Sequence, residues 1–273
     1  MSEYCYANKQ IRLISEAGVP VTDLLVQRGY GIFDFLRVAK DKPLFIEDHL
    51  DRFFHSAEVM RLTIPETREE IKQIVATLIQ KNNFDYSGIR MIIAGGDAAD
   101  GYTIEHPHLI VIQAPLAEPT EELPTTGIKL ATYSYQRQLP AVKTTDYLMA
   151  IWLQAWMKEQ GADDILYHNN GSIRECPRSN FFLLTQEGVL VTAKEQMLNG
   201  ITRKNIIKIC ETHHIPFEVR ELTIEELKNA KEAFITSSTK RIIPVHQIDA
   251  ILLQPQYEDS IARKIYDWLK KME

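Results

Sequence analysis

Cysteine is scarce in this sequence: Cys5, Cys176 and Cys210 are the three present, odd in number and far apart. They offer neither a disulfide framework nor a zinc-ligand spacing, so reduced thiols are expected. A basic excess is lacking as well. Lysine and arginine number 31 against 37 acidic residues, a formal net charge of −6, which makes nucleic acid and anionic membrane surfaces unexpected partners. No run of residues reaches the length of a membrane span. The N-terminal stretch MSEYCYANKQIRLISEAG places charged and polar residues where a signal peptide needs apolar ones, and a cytoplasmic protein is expected. Metal ligands are sparse: the pairs His106/His108 and His213/His214 lack cysteine or carboxylate partners at ligand spacing, so no metal site is expected. Internal repeats and low-complexity tracts are absent.

What remains is ordinary globular usage, with 273 residues of which 45% are hydrophobic and 25% charged, enough for two modest domains. IFDFLRV (Ile32–Val38) alternates as a strand does, and Lys40–Pro43 breaks it as a hairpin turn. Asp48 is expected to cap a helix through HLDRFFHSAEVMRL, and Pro65 to open another through PETREEIKQIVATLIQ. Strands at Ile89–Ala94 and Leu109–Gln113 complete an α/β unit, residues 1–114. APLAEPTEELPTTG carries Pro115, Pro119 and Pro124 and reads as a linker, residues 115–127. Residues 128–273 read as a β-rich second domain: a strand at Ile128–Tyr135, a helix after Tyr147, then short strands in DDILYH, SIRE, FFLLT and VLVTA around NNG and QEG turns. Helices are expected at Thr202–His213, Glu225–Ala230 and Asp259–Met272, with a strand EAFITS between the last two. The fold class is α/β (α+β).

One feature reads as chemistry from the residues themselves. In LNGITRKNII, Gly200 precedes a helix, so the amides of Ile201 and Thr202 can face an anion, helped by the helix dipole. Ser237 and Lys240 form S-x-x-K, and Lys143-Thr144-Thr145 is close to a K-T-G strand, which together suggest a serine acyl-transfer enzyme. Their order argues against it. The lysine triplet precedes S-x-x-K by almost a hundred positions and lacks the glycine.

Six ordered segments carry a resemblance: RGYGIFDFLR (Arg28–Arg37), HLDRF (His49–Phe53), RQLPAVKTTDYL (Arg137–Leu148), GSIRECPRSNFF (Gly171–Phe182), MLNGITR (Met197–Arg203) and TSSTKRIIPV (Thr236–Val245). In this order they are similar to the signatures of the class IV aminotransferase family: branched-chain aminotransferases, D-amino-acid aminotransferases and aminodeoxychorismate lyases. The resemblance implies fold type IV, with a small N-terminal α/β domain, a larger C-terminal domain with a β pseudo-barrel, and pyridoxal 5′-phosphate (PLP) in the cleft between them. It also implies a homodimer that moves an amino group between two small-molecule substrates, an amino acid with a branched-chain-like or other apolar side chain and a 2-keto acid.

The resemblance assigns roles residue by residue. Lys143 matches the lysine that holds the cofactor as a Schiff base and shuttles the α-proton. Glu175 matches the glutamate facing the pyridine nitrogen, whose carboxylate favours the protonated ring. Leu198, Ile201, Thr202, Ser237 and Ser238 match cofactor-binding positions. Arg52 matches the phosphate arginine, or else forms a helix-face ion pair with Asp48 or Glu58. Tyr147 matches the tyrosine that branched-chain aminotransferases place on the phenolic oxygen. Tyr30, Phe33, Arg37, Arg90 and Thr239 fall where the family lines the substrate pocket. Asn180 reads as structural. Within the family the runner-up is the lyase: Thr144, Cys176, Asn199–Ile201 and the compact length speak for it, and Asp34, Phe35 and Asp100 against it. The stretch AGGDAADGY departs from the arginine-containing loop common in both subgroups, so a partner subunit is expected to contribute to carboxylate binding.

Overall fold

The structure is a computed structural model that describes residues 3–253 and 260–273. The chain divides into two compact units, each described by itself: Met1–Glu118 with Val142–Asp146, and Pro119–Ala141 with Tyr147–Glu273.

The first unit contains strands β1 (Tyr4–Ala7), β2 (Gln10–Leu13), β3 (Gly31–Ala39), β4 (Lys42–Pro43), β5 (Tyr86–Ala94) and β6 (His108–Pro115), with helices α1 (Leu24–Arg28), α2 (Ile46–Val59) and α3 (Arg68–Asn82). The strands form one sheet in the order β2-β1-β6-β5-β3-β4, antiparallel throughout. Alternation along β3 sends Ile32, Leu36 and Val38 into a core shared with Leu50 and Phe53 of α2 and Ile71, Val75 and Leu78 of α3. Each such buried side chain contributes about 1.5–3 kcal/mol. The expected hairpin forms, with Lys40 and Asp41 at φ 48° and 65° joining Ala39 to Lys42, the two positive angles that a tight hairpin turn requires.

Both helix starts differ from expectation. The second helix begins at Ile46 after Phe45 in the left-handed region, and Asp48 lies inside its first turn, where its charge suits the dipole without capping. In α3 the cap is Thr67, not Pro65: Thr67 Oγ1 accepts from Glu70 N, and Glu70 Oε2 accepts from Thr67 N at 2.7 Å. This reciprocal capping box outweighs proline's preference for a first turn.

The second unit contains β7 (Ile128–Ser134), α4 (Leu148–Trp152), α5 (Gln154–Glu159), β8 (Asp164–Asn169), β9 (Ser172–Ile173), β10 (Asn180–Leu184), β11 (Leu190–Ala193), α6 (Ile201–Thr212), β12 (Phe217–Arg220), β13 (Glu232–Ser237), β14 (Arg241–Ile248), β15 (Ile251–Leu252) and α7 (Ile261–Met272). Its mixed sheet runs β12-β11-β10-β13-β14-β7-β8-β9, with β15 on β14. Phe181, Leu183, Ile235 and Val245 feed one core, while Phe182, Leu184, Phe234 and Ile242 feed another closed by Ile206 of α6 and Ile265 of α7. Both faces are covered, which is why FFLL reads as a continuous apolar run. Glu225–Asn229 is a 3-10 turn rather than an α-helix. The expected start of the last helix, Asp259, lies outside the described residues, and Ser260 caps α7 by accepting from Arg263 N. Strands β1, β2, β12, β14 and β15 were not expected. In β14, Pro244 needs no partner on the β7 side, because that pairing starts only at Val245.

Candidate active site

The residues of interest fall on both units. In the first, Lys143 sits in a short extended segment laid against the start of β3. Phe33 N donates to Lys143 O at 2.9 Å, Thr145 N donates to Gly31 O at 3.0 Å, and Ile32 and Thr144 form an isolated bridge. The backbone of Lys143 is thereby fixed by sheet-like pairing. Its Nζ lies 4.6 Å from the centroid of the Phe33 ring, and the guanidinium of Arg90 lies 5.6 Å from the same centroid. Phe33 and Arg90 face the same way because β3 and β5 pair in register, Phe33 opposite Ile92 and Phe35 opposite Arg90. One aromatic ring thus makes cation–π contacts with both a candidate nucleophile and a candidate carboxylate binder. Tyr30 turns its hydroxyl elsewhere, donating to Met60 O at 2.7 Å. Arg37 is buried.

Arg52 makes a forked contact with Asp34 of β3. Its Nε donates to Asp34 Oδ2 and its Nη2 to Asp34 Oδ1, each at 2.8 Å, and His49 Nδ1 contacts Asp34 Oδ1 at 2.7 Å. Asp34 is fully buried on the inward face of β3. Burial would raise its pKa, but the Arg52 guanidinium and His49 override it and hold the carboxyl far below the usual range. For His49 burial outweighs the carboxylate and pushes the pKa down, so the imidazole is neutral and its Nδ1–H donates to Asp34. The 3.5 Å approach of Arg52 Nη2 to that nitrogen is therefore a contact between two donors. The forked Asp34 contact sets the plane of the guanidinium. An acid at an inward position of an alternating strand was the signal for Asp34.

In the second unit, Glu175 is buried, and each carboxylate oxygen has a donor: Arg137 Nη1 to Oε1 at 3.2 Å and Leu198 N to Oε2 at 3.0 Å. A carboxylate has about four acceptor positions, so further donors fit. Asn180 donates through Nδ2 to Leu198 O at 2.8 Å, so the two peptide groups flanking Leu198 are held, one by an acid and one by an amide. Gly200, the N-cap of α6, has no side chain to satisfy the first amides of the helix. A Cβ there would lie 2.1 Å from Asn180 Oδ1. A tight corner thus delivers the chain to a helix start, and the amides of Ile201 and Thr202 suit an anion there. Ser237 and Thr239 bring their hydroxyl oxygens to 3.3 Å of one another in the turn between β13 and β14. Tyr147 is the N-cap residue of α4. Arg137 and Arg203 are supporting residues to which the sequence assigned no role, whereas Asn180 was expected to be structural and its bond to Leu198 O is of that kind. Among the described residues, no group of acidic, histidine or cysteine side chains could hold a metal ion, and no helix is long and apolar enough to cross a membrane.

The model of the family described as amino-transferase class IV matches residues 31–248, a span that includes every element just described except Tyr30. The chain belongs to this family. A D-alanine aminotransferase of Staphylococcus epidermidis is 27% identical over 89% of this chain and 90% of its own length. The branched-chain aminotransferase structure from Thermoproteus uzoniensis, solved with norvaline, covers 99% of this chain and 94% of its own at 25% identity, TM-score 0.88. A Legionella pneumophila structure named for 4-amino-4-deoxychorismate lyase covers 95% and 97% at 26% identity, TM-score 0.86. This class IV aminotransferase therefore has the mixed α/β, type IV fold that its signatures implied.

Proposed function

We propose that this chain is a PLP-dependent aminotransferase that moves an amino group between an amino acid, of apolar and branched-chain-like side chain, and a 2-keto acid. The observation that carries the reading is Lys143, its backbone fixed against β3 and its Nζ sharing the Phe33 ring with Arg90. PLP supplies a conjugated electron sink that acidifies the Cα–H of an attached amino acid. The residues present fit it. Gly200 keeps open a corner that a Cβ would fill, at a helix start suited to a phosphate. Ile201 and Thr202 amides, the hydroxyls of Ser237 and Ser238, and Arg52 would hold that phosphate. Glu175 would keep the proton on the ring nitrogen, with Arg137 and the Leu198 amide holding its carboxylate in place. Leu198 would pack beside the ring, and Tyr147 would donate to the phenolic oxygen. Lys143 Nζ would hold the cofactor covalently and, displaced by the substrate amine, carry the α-proton. Tyr30, Phe33, Arg37, Arg90 and Thr239 would contact substrate.

The lyase reading is favoured by the Legionella neighbour and by Thr144 and Cys176. Asp34 speaks against it, because this acid is committed to Arg52. We further take the protein to act as a cytoplasmic homodimer, since Leu148, Ile151 and Trp152 form an exposed apolar patch on α4 that a second copy would cover. Sedimentation velocity tests the dimer. A half-reaction screen tests the function: one of a panel of L- and D-amino acids should bleach the lysine–cofactor absorbance of the holoenzyme, and a keto acid should restore it. Rapid conversion of aminodeoxychorismate to 4-aminobenzoate with no bleaching by any amino acid would overturn the transaminase reading.

A further inference from the structure

Among the described residues, Arg203 is a buried cation that no anionic side chain meets. Only 4% of it is exposed. Its Nε donates to Thr192 Oγ1 at 3.3 Å, its Nη1 to Asn199 Oδ1 at 2.8 Å and its Nη2 to Ala193 O at 2.7 Å, three neutral acceptors. Burial alone pulls its pKa down to about 10, with no carboxylate opposing the shift. Arg241 in the same unit shows the usual arrangement: its guanidinium pairs with Glu273 at 2.7 Å, and both side chains are 6% exposed. A buried charge is costly unless paired, and Arg203 compounds the cost by its place. It is the third residue of α6, where the unsatisfied amides and the helix dipole are already positive. Two positive sources therefore add, in a fold that pairs Arg52 and Arg241, and an anion would relieve both.

The same side chain has a mechanical role. Its bonds to Thr192 and Ala193 tie it to β11, and its bond to Asn199 ties that strand to the corner before Gly200. Glu175 and Asn180 hold the Leu198 peptides one residue earlier.

We infer that Arg203 is a positioning residue for the cofactor phosphate: it fixes the Asn199–Gly200 corner and lends a buried positive charge that selects a dianion at the Ile201 and Thr202 amides. This inference rests on the PLP reading above. Arg203 does so without being a ligand, through field and scaffold.

The test compares binding of pyridoxal 5′-phosphate and of pyridoxal, which lacks the phosphate, to apo-protein. Arg203→Gln should weaken the phosphorylated compound by roughly tenfold or more while changing pyridoxal far less, and Arg203→Lys should recover part of the preference because it keeps the charge. Phosphorus NMR of the wild-type holo-protein should find the bound phosphate dianionic well below its ordinary second pKa of about 6, and in Arg203→Gln the transition should move back up. Equal loss for both compounds would mean that Arg203 only supports the loop, and no loss would mean that it is inert toward the cofactor; either overturns the inference. Should the variants fail to fold, the wild-type phosphorus titration decides alone, and an unshifted transition overturns it. A wild-type protein that binds neither compound would bring down the PLP reading itself, an outcome distinct from tight wild-type binding that ignores Arg203.

Discussion

Replacing Asp34 by asparagine removes a charge while leaving size and shape nearly unchanged. Asp34 Oδ1 accepts from His49 Nδ1, Arg52 Nη2 and Phe35 N, and Oδ2 accepts from Arg52 Nε, all between 2.7 and 2.8 Å. Asparagine keeps one acceptor oxygen and turns an amide donor toward guanidinium or imidazole donors. Asp34 is fully buried and the Arg52 side chain is only 10% exposed, so the buried pair is broken where water can compensate little. Breaking such a pair by removing one partner costs about 3–5 kcal/mol. Tryptophan fluorescence is blind to the first unit, because Trp152, Trp156 and Trp268 all lie in the second. The assay is therefore native-state hydrogen exchange at the amides of β3 and α2, where the slowest protection should fall by roughly two to three powers of ten. The pH dependence has a definite sign. Because the folded pKa of Asp34 is depressed, its contribution is complete above the unfolded value of about 3.9 and is lost as pH falls through the lower folded value, so the gap between wild type and variant should close in acid. His49, held neutral by burial, adds a separate loss of stability below about pH 6.5. A change under about 1 kcal/mol at neutral pH, or a gap that widens in acid, would refute the claim that Asp34 compensates Arg52.

Three further perturbations address the site. Lys143→Ala should abolish the visible lysine–cofactor absorbance, and a variant that still yields a borohydride-reduced lysine adduct would show that another lysine holds the cofactor. Glu175→Gln should keep the cofactor but slow α-proton transfer by about one to a few kcal/mol of barrier, read in single-turnover kinetics; an unchanged rate would leave the glutamate a scaffold for Leu198. Gly200→Ala would force Asn180 off its bond to Leu198 O, costing about 1–3 kcal/mol in thermal or urea unfolding and loosening pyridoxal phosphate in equilibrium dialysis, and wild-type values in both would mean that the corner tolerates a Cβ.

Much of the architecture was legible because it rests on local rules. The alternation in IFDFLRV, the hairpin after it and the apolar FFLL run are consequences of side-chain period and turn geometry, although the turn expected over Lys40–Pro43 takes only Lys40 and Asp41 and leaves Lys42–Pro43 to β4. Helix starts were less legible. A capping box at Thr67 and Glu70 competed with a nearby proline, and the choice depended on hydrogen bonds that spacing alone does not rank. Short elements such as β1, β2 and β15 have too few residues to carry a period, and they exist because a neighbouring strand offers them a pairing partner.

The site divides along the same line. The sequence by itself determined the family, and it singled out the lysine, the glutamate and the glycine before α6 as candidates, because each lies in a contiguous motif whose neighbours mark it. Only the tertiary structure decided that Arg52 is matched by Asp34 from a strand 18 residues away, that Arg137 reaches Glu175 across 38, that Asn180 holds Leu198, and that Arg203 is buried among neutral acceptors. The physical reason is that charge compensation depends on distance and exclusion of water, and neither is a property of position along the chain.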